Sequence, residues 1–384
     1  MMKRALVFLA VLSTLSCGTT AQSQRDGNAP LAFRLHVICD TVKYSACAVM
    51  DVNKDGRMDV VSGAHWYEGP NWKQHFVRDV EIIKGRPDGY SHLELDVNQD
   101  GWIDLVHVNF RSRSIYWLEH PGAVLGEWTK HMVAEPGAME TGRLYDIDGD
   151  GTHDLLPNGW EFAAWYEVTN PPDQAAPHWS RHTIHPKGAG HGCGFGDVNG
   201  DGMGDYVGIH GWAEAPQDPR NGDWIWHPEF ELGKASIPVI VDDLDGDGDT
   251  DLIWSMGHDY GTYWMEQYRD GQQRVWRKHL IDSTWSQGHS PLWVDLDQNG
   301  TKEFINGKRF WSHEGRDPGA HDPLVIYRYE YDADRQAFER YAIQENGPAG
   351  VGLDPKAADL DNDGDIDLVL PGRSGLYWYE NLLK

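Results

Sequence analysis

Cysteine is scarce: the 384 residues hold four. With Cys17 in a leader-like stretch, only Cys39, Cys47 and Cys193 remain. Three thiols make no disulfide framework; one Cys39–Cys47 bridge is open to them, and otherwise they read as packing residues. Basic charge is short too, with 33 Lys and Arg against 60 Asp and Glu and a formal net charge of −27. That imbalance excludes nucleic acid and anionic membrane surfaces as partners. Long hydrophobic runs are missing, and the stretch Ala5–Leu12 is too short to span a bilayer, so no transmembrane segment is expected. There is no Ser-His-Asp string, phosphate-binding loop or CxxC pair.

What is present begins with a leader. Lys3 and Arg4 before the apolar run make residues 1–21 a signal peptide. Thr14-Leu15-Ser16-Cys17 is a loose lipobox that would leave a lipid anchor on Cys17, whereas Thr19-Thr20-Ala21 suits ordinary cleavage. Both imply export: a periplasmic protein, an outer-membrane lipoprotein or a secreted one. Calcium is plentiful in such places.

The string D-x-[DN]-x-[DN]-G-x-x-[DE] then occurs seven times, starting at Asp51, Asp96, Asp146, Asp197, Asp243, Asp295 and Asp359. The starts are 45, 50, 51, 46, 52 and 64 residues apart. That period marks a propeller or solenoid. A short apolar strand follows each loop, then an aromatic strand such as Tyr116-Trp117-Leu118-Glu119, then an aromatic-x-x-His strand such as Trp128/His131. With the run leading into the loop, each repeat has four strands, A to D, the acidic loop joining A to B. The last repeat lacks its final strand, and Phe33–Ile38 supplies the missing pattern at the other end. The fold expected is therefore all-β, a single seven-bladed β-propeller over residues 33–384, closed by pairing of the N-terminal strand into the last blade.

Oxygen ligands at loop positions 1, 3, 5 and 9 with Gly at 6 match the first half of a calcium loop. The candidate calcium ligands are Asp51, Asn53, Asp55 and Asp59; Asp96, Asn98, Asp100 and Asp104; Asp146, Asp148, Asp150 and Asp154. They continue with Asp197, Asn199, Asp201 and Asp205; Asp243, Asp245, Asp247 and Asp251; Asp295, Asp297, Asn299 and Glu303; Asp359, Asp361, Asp363 and Asp367. The alternative is that Asp and Asn cap the backbone of tight turns. These loops hold 24 of the 60 acidic side chains, which leaves a carboxylate pair for glycoside hydrolysis poorly supported.

Residues that break the repeat fall mainly in D–A and B–C loops, on the face opposite the acidic turns. Six residues before each acidic loop stand Ser45, Tyr90, Glu140, His191, Ile237, His289 and Leu353, the innermost register. Two imidazoles and Glu140 there make a candidate site for a single central divalent metal, zinc or calcium, or an acid–base pair. His258, Tyr260, Lys308 and Arg309 form a second constellation: a base, a cation and a proton donor, as needed to abstract a proton next to a carbonyl. His191, His289, His258, Tyr260, Lys308 and Arg309 are thus the candidate catalytic residues. His65, Trp66, Tyr90, His92, Arg111, Trp160, His210, Trp212 and Arg373 are the candidate substrate contacts. By contrast His36, His75, His131, His182, His227 and His279 repeat with the blade and read as packing.

The acidic loops and the Trp-Tyr-Glu strands resemble FG-GAP or VCBS repeat propellers. Gly190-His191-Gly192, Gly211-Trp212-Ala213-Glu214, Gly257-His258-Asp259-Tyr260-Gly261 and Gly307-Lys308-Arg309 with Asp317-Pro318-Gly319 look like the propeller of aldos-2-ulose (anhydrofructose) dehydratases. More distantly the architecture resembles seven-bladed ulvan and rhamnose–glucuronate lyases. The resemblance implies an exported carbon–oxygen lyase or dehydratase acting by β-elimination on a uronic-acid or keto-sugar saccharide. The second reading is a non-catalytic, calcium-stabilised propeller that binds glycan or protein through its aromatic rim.

Overall fold

Short runs of β-branched and aromatic residues, each cut off by a Gly- or Asp-rich turn, favour strands over helices because such side chains fill a pleated, half-buried surface. A computed structural model describes residues 31–172, 176–271 and 273–383. The leader read at 1–21, with Cys17, lies outside them. The strands form seven four-stranded antiparallel sheets and one two-stranded hairpin. Each large sheet is a blade. In the second blade Leu93–Leu95, Asp104–Val108, Ile115–Glu119 and Thr129–Ala134 lie side by side in chain order. In the seventh, Lys356–Ala358, Asp367–Gly372 and Gly375–Asn381 are joined by Phe33–Cys39, with Phe33 opposite Asn381 and Val37 opposite Tyr377.

Apolar clusters fill the gaps between neighbouring blades; Leu156 and Trp165 of the third meet Tyr206 and Ala213 of the fourth. Cys39, Cys47 and Cys193 are free and buried, so the Cys39–Cys47 bridge does not form.

The blade-periodic histidines explain the aromatic-x-x-His pattern. His75, His131, His182, His227, His279 and His36 stack on Trp66, Trp117, Trp165, Trp212, Trp264 and Trp378 at centroid distances of 4.1–4.5 Å. Each also meets the Glu two residues past its Trp at 2.6–3.1 Å. The sixth blade substitutes Arg328 over Tyr341, 4.4 Å from the ring centre. Trp66 and Trp212 are 2% and 1% exposed under these stacks. They offer no face to a ligand, which corrects their expected role in substrate contact.

The acidic loops are tied down from inside. The ninth residue opens the second strand of its blade and is buried in all seven. Asp205 accepts from the backbone N–H of Val198 at 3.0 Å and of Ala215 at 2.8 Å, fastening the loop to the end of the third strand. Asp59, Asp104 and Asp367 repeat this double bond. The first residue of every loop accepts from the amide of residue 6 and, in all but the third and fifth, of residue 5, as Asp51 does from Gly56 at 2.8 Å and Asp55 at 3.0 Å. The Gly at position 6 sits at φ +85 to +97 in every copy, a conformation costly for any side chain. In the third loop the Arg220 guanidinium, from the fourth blade, reaches Asp148 at 2.6 Å, Asp150 at 2.8 Å and Glu167 at 3.0 Å.

Two excursions rise on the other face. One is the hairpin Ile82–Ile83/Arg86–Pro87; the other is the lengthened B–C loop of the sixth blade, with a turn at Ser312–Gly315.

The double bond at position 9 yields a stability test. In chelator, Asp205→Ala strands two backbone donors and should cost about 2–4 kcal/mol, whereas Asp201→Ala, in the exposed part of the same loop, should stay within about 0.5 kcal/mol. Urea unfolding of the two variants checks the difference.

Candidate active site

Glu140 from the first strand of the third blade, His191 entering the fourth, His258 on the B–C turn of the fifth and His289 entering the sixth converge. All four are buried, and their ligand atoms lie within 4.8 Å of one another. His191 Nε2 is 3.1 Å from His289 Nε2 and 3.0 Å from His258 Nε2. Glu140 Oε1 is 3.5 Å from His289 Nε2. Gly257 allows the approach: a Cβ there would stand 3.1 Å from both the His191 and His289 rings.

The far nitrogens settle the tautomers. His191 Nδ1 faces the Ala235 carbonyl oxygen at 3.0 Å, and His258 Nδ1 faces the Asp317 carboxylate at 3.1 Å. Each must donate. His289 Nδ1 meets Ser290 Oγ at 3.2 Å, and that hydroxyl is itself committed to donating to the Leu353 carbonyl. All three Nε2 atoms are therefore bare lone pairs pointed at each other and at a carboxylate. One proton bridges two such groups; four call for a cation. Three imidazoles and one carboxylate fit a transition metal such as zinc, whose tetrahedral ligands at about 2.0 Å stand roughly 3.3 Å apart. Calcium prefers six or more oxygens. The second partners on Nδ1 are those that orient metal-bound imidazoles.

Burial pushes His191 down and His289 well down, and burial with the Arg309 and His191 charges brings His258 to about 4. Burial raises Glu140, but its neighbours His289 and His191 and the Arg309 charge outweigh it and hold the carboxyl well below its usual range. Asp317 is held to about 2: hydrogen bonds from His313, His258 and Ser312 overcome its burial.

Above the cluster a cavity of about 180 Å³ opens between the excursions. Ser45, Tyr90, Glu140 and Leu353 of the innermost register line it, together with Lys43, Arg86, Arg309, His313 and Arg373. The mouth is cationic in a chain of net charge −27. Arg309 is half-buried, with an enclosed Nη1 that lacks a hydrogen-bond partner among the described residues. Burial, then Glu140, raises the Tyr90 phenol above its ordinary value, against the opposing pull of Arg111. Trp160 is exposed and stands edge-on to His191 at 5.9 Å.

Several expectations need correction. Tyr260 does not line the cavity; its hydroxyl donates to Asp322, which raises the phenol and removes it as a base. Lys308 is fully buried, with Nζ turned to Gln287 Oε1 at 3.4 Å. His92 is 1% exposed and packed edge-on against His107. His65 lies against Tyr67 and Phe76, and His210 pairs with Glu231 at 2.6 Å; neither lines the cavity. The register residue Ile237 is fully buried.

Lys43, Arg86, His313 and the orienting Asp317 are additions. His313 and Asp317 stand four apart in the insertion, a signal available in the sequence, and His313 Nδ1 meets Asp317 at 2.9 Å. Arg86 carried no local signal, because its place depends on a hairpin outside the repeat.

The depressed histidines set a pH dependence. A group whose folded pKa lies below its unfolded value of 6.5 contributes stability that is lost as pH falls toward the folded value. Metal-stripped protein should therefore lose thermal stability between about pH 6.5 and about pH 4, and His258→Gln should flatten that slope.

Among the described residues no helix is long and apolar enough to cross a membrane. No curated protein matches the chain. The model for the FG-GAP-like repeat matches residues 96–156 and 243–305, each spanning two acidic loops. Similar solved structures include an Agrocybe aegerita lectin studied for recognition of non-reducing terminal N-acetylglucosamine, at 16% identity and a TM-score of 0.50, covering 90% of this chain and 87% of the lectin. The exotype rhamnogalacturonan lyase YesX is 12% identical with a TM-score of 0.49, covering 88% and 72%. The rhamnogalacturonan lyase YesW is 12% identical with a TM-score of 0.44, covering 88% and 71%. The chain is thus a seven-bladed β-propeller that carries FG-GAP-like repeats at residues 96–156 and 243–305.

Proposed function

We infer that this exported propeller is a carbon–oxygen lyase that removes a β-oxygen from a uronic-acid or keto-sugar saccharide at the cavity over the histidine cluster. The observation that carries the reading is the set of three bare Nε2 atoms and Glu140 beneath an arginine-lined mouth. Glu140, His191, His258 and His289 would hold one divalent metal, and a bound ion there would supply positive charge beneath the cavity, with Lewis acidity toward a carbonyl or carboxylate oxygen where its coordination expands from four to five.

The chain's own groups supply the rest. Arg309, half-buried with Nη1 short of a partner, neutralises the carboxylate or keto oxygen that takes up charge. His313, whose Nδ1–H is held by Asp317, presents a bare Nε2 and takes the proton α to the carbonyl. The C–H electrons form the new C=C bond as the β C–O bond breaks. Tyr90, kept protonated by burial and by the Glu140 charge, gives its proton to the leaving oxygen. Trp160 and Phe110, 5.4 Å apart and edge-on, offer a wall for a sugar face.

Panels of uronic and keto-sugar oligosaccharides test this through the ultraviolet absorbance of the conjugated alkene. His313→Ala should lower turnover roughly 10²–10⁴-fold and keep the metal measured by elemental analysis. His258→Ala should lose both. His131→Ala, in a blade stack, should keep both and melt earlier. Saccharide binding with no alkene from any sugar would return the binding-module reading, which the lectin of the same fold illustrates.

The acidic loops are proposed to hold structural calcium. Asp243, Asp245 and Asp247 are close enough to share an ion, whereas Arg220 already neutralises the third loop. Chelation should lower Tm by several degrees, because an ion bound only to the folded loops stabilises by mass action. An unchanged melting curve would leave the loops as self-bonded turns.

A further inference from the structure

Two strained or off-repeat segments meet over the mouth of the cavity. The hairpin Ile82–Ile83/Arg86–Pro87 turns on Lys84 and Gly85, both at positive φ (+52 and +76), the pattern of a tight two-residue turn. It carries Arg86 to the cavity. The insertion of the sixth blade puts Trp311, His313 and Glu314 at φ +52, +46 and +55. Three non-glycine residues in the left-handed region persist only where surrounding contacts over-determine them. The contacts are on hand. Glu314 Oε1 accepts from Arg86 Nη2 at 2.5 Å and Nε at 3.1 Å, and lies 3.6 Å from Arg373 Nη1. Arg373 also donates to the Trp311 carbonyl at 2.8 Å.

We propose that Arg86 and Arg373 form a carboxylate-binding subsite at the mouth, which Glu314 fills in the free protein and a uronate carboxylate takes over on binding, releasing the strained turn. This rests on the acidic-saccharide reading above. Both arginines line the cavity while Glu314 does not, so the chain's own carboxylate approaches from the roof and a ligand approaches from within. The planar guanidinium of Arg86 presents two donors to one carboxylate, the geometry that discriminates a uronate from a neutral sugar. Glu314 is half-exposed, so the ion pair it makes is weak enough to exchange. Release of Glu314 also frees His313, its neighbour, from a left-handed turn, coupling occupation of the subsite to the placement of the base.

The subsite is tested by binding, without turnover, with sodium glucuronate and glucose as probes in calorimetric titration of the full chain. Glu314→Gln should bind glucuronate about five-fold more tightly than the unaltered protein and leave glucose affinity unchanged. Arg86→Gln with Arg373→Gln should weaken glucuronate binding about five-fold and leave glucose affinity unchanged, the remaining preference being that of Arg309. Equal glucuronate affinity with and without the Glu314 charge, or glucuronate affinity unchanged by loss of both arginines, overturns the proposal. Should Glu314→Gln fold poorly, hydrogen exchange on the unaltered chain decides: residues 311–316 should exchange faster in glucuronate and not in glucose, and unchanged exchange refutes it. Uronate-specific opening without alkene formation from any saccharide would remove the catalytic reading alone. Alkene formation without uronate-specific opening would remove the subsite alone.

Discussion

A buried carboxylate opens the second strand of every blade, and much of the molecule hangs from it. In Asp59, Asp104, Asp205 and Asp367 its two oxygens hold a loop amide and the amide that follows the third strand. One side chain thereby fixes the turn, the register of the hairpin and the place where the chain leaves the blade. Buried backbone donors left unpaired would cost more than the bonds contribute when made. The remaining loop oxygens are spent on the loop's own amides or, in the third blade, on Arg220. Asp154, Asp251 and Glu303 keep one of the two bonds, so every blade has some of this fastening and the acidic face is a scaffold.

The opposite face is free of that duty, and there the chain departs from its repeat. The stacked Trp–His–Glu trios show what a histidine does when it serves the blade: one face on indole, one nitrogen on a carboxylate. His191, His258 and His289 do something else. Their outer nitrogens are satisfied by Ala235, Asp317 and Ser290, which aims three lone pairs inward. Identical side chains pack on indole in one place and turn bare lone pairs toward one another in another because of what their second nitrogen meets.

Charge is segregated to match. The acidic side chains crowd the loop face, whereas Lys43, Arg86, Arg309 and Arg373 gather at the cavity. A cationic mouth on an anionic protein concentrates a field that would draw an anion in there and repel it elsewhere. Asp317 links the two levels of the site, since it orients His258 below and His313 above.

The blade count, the strand order and the separation of packing histidines from the rest were legible in the sequence, because a repeat imposes the same local physics seven times. Gly at position 6 marks a positive-φ turn, and Asp at position 9 marks a strand start, wherever they recur. Glu140, His191 and His289 stood out by breaking a register the repeat itself defined. His258 stood out as a candidate but not as their neighbour, since it comes from a B–C turn and the others from the entry to a blade. Tyr260 and Lys308, adjacent in sequence to the right neighbours, are turned away to Asp322 and Gln287. Arg86 and Glu314 stand 228 residues apart, in two excursions that obey no period. Local sequence determines what repeats; which side chains from unlike loops meet over the axis was decided only when the tertiary structure brought those blades around one centre.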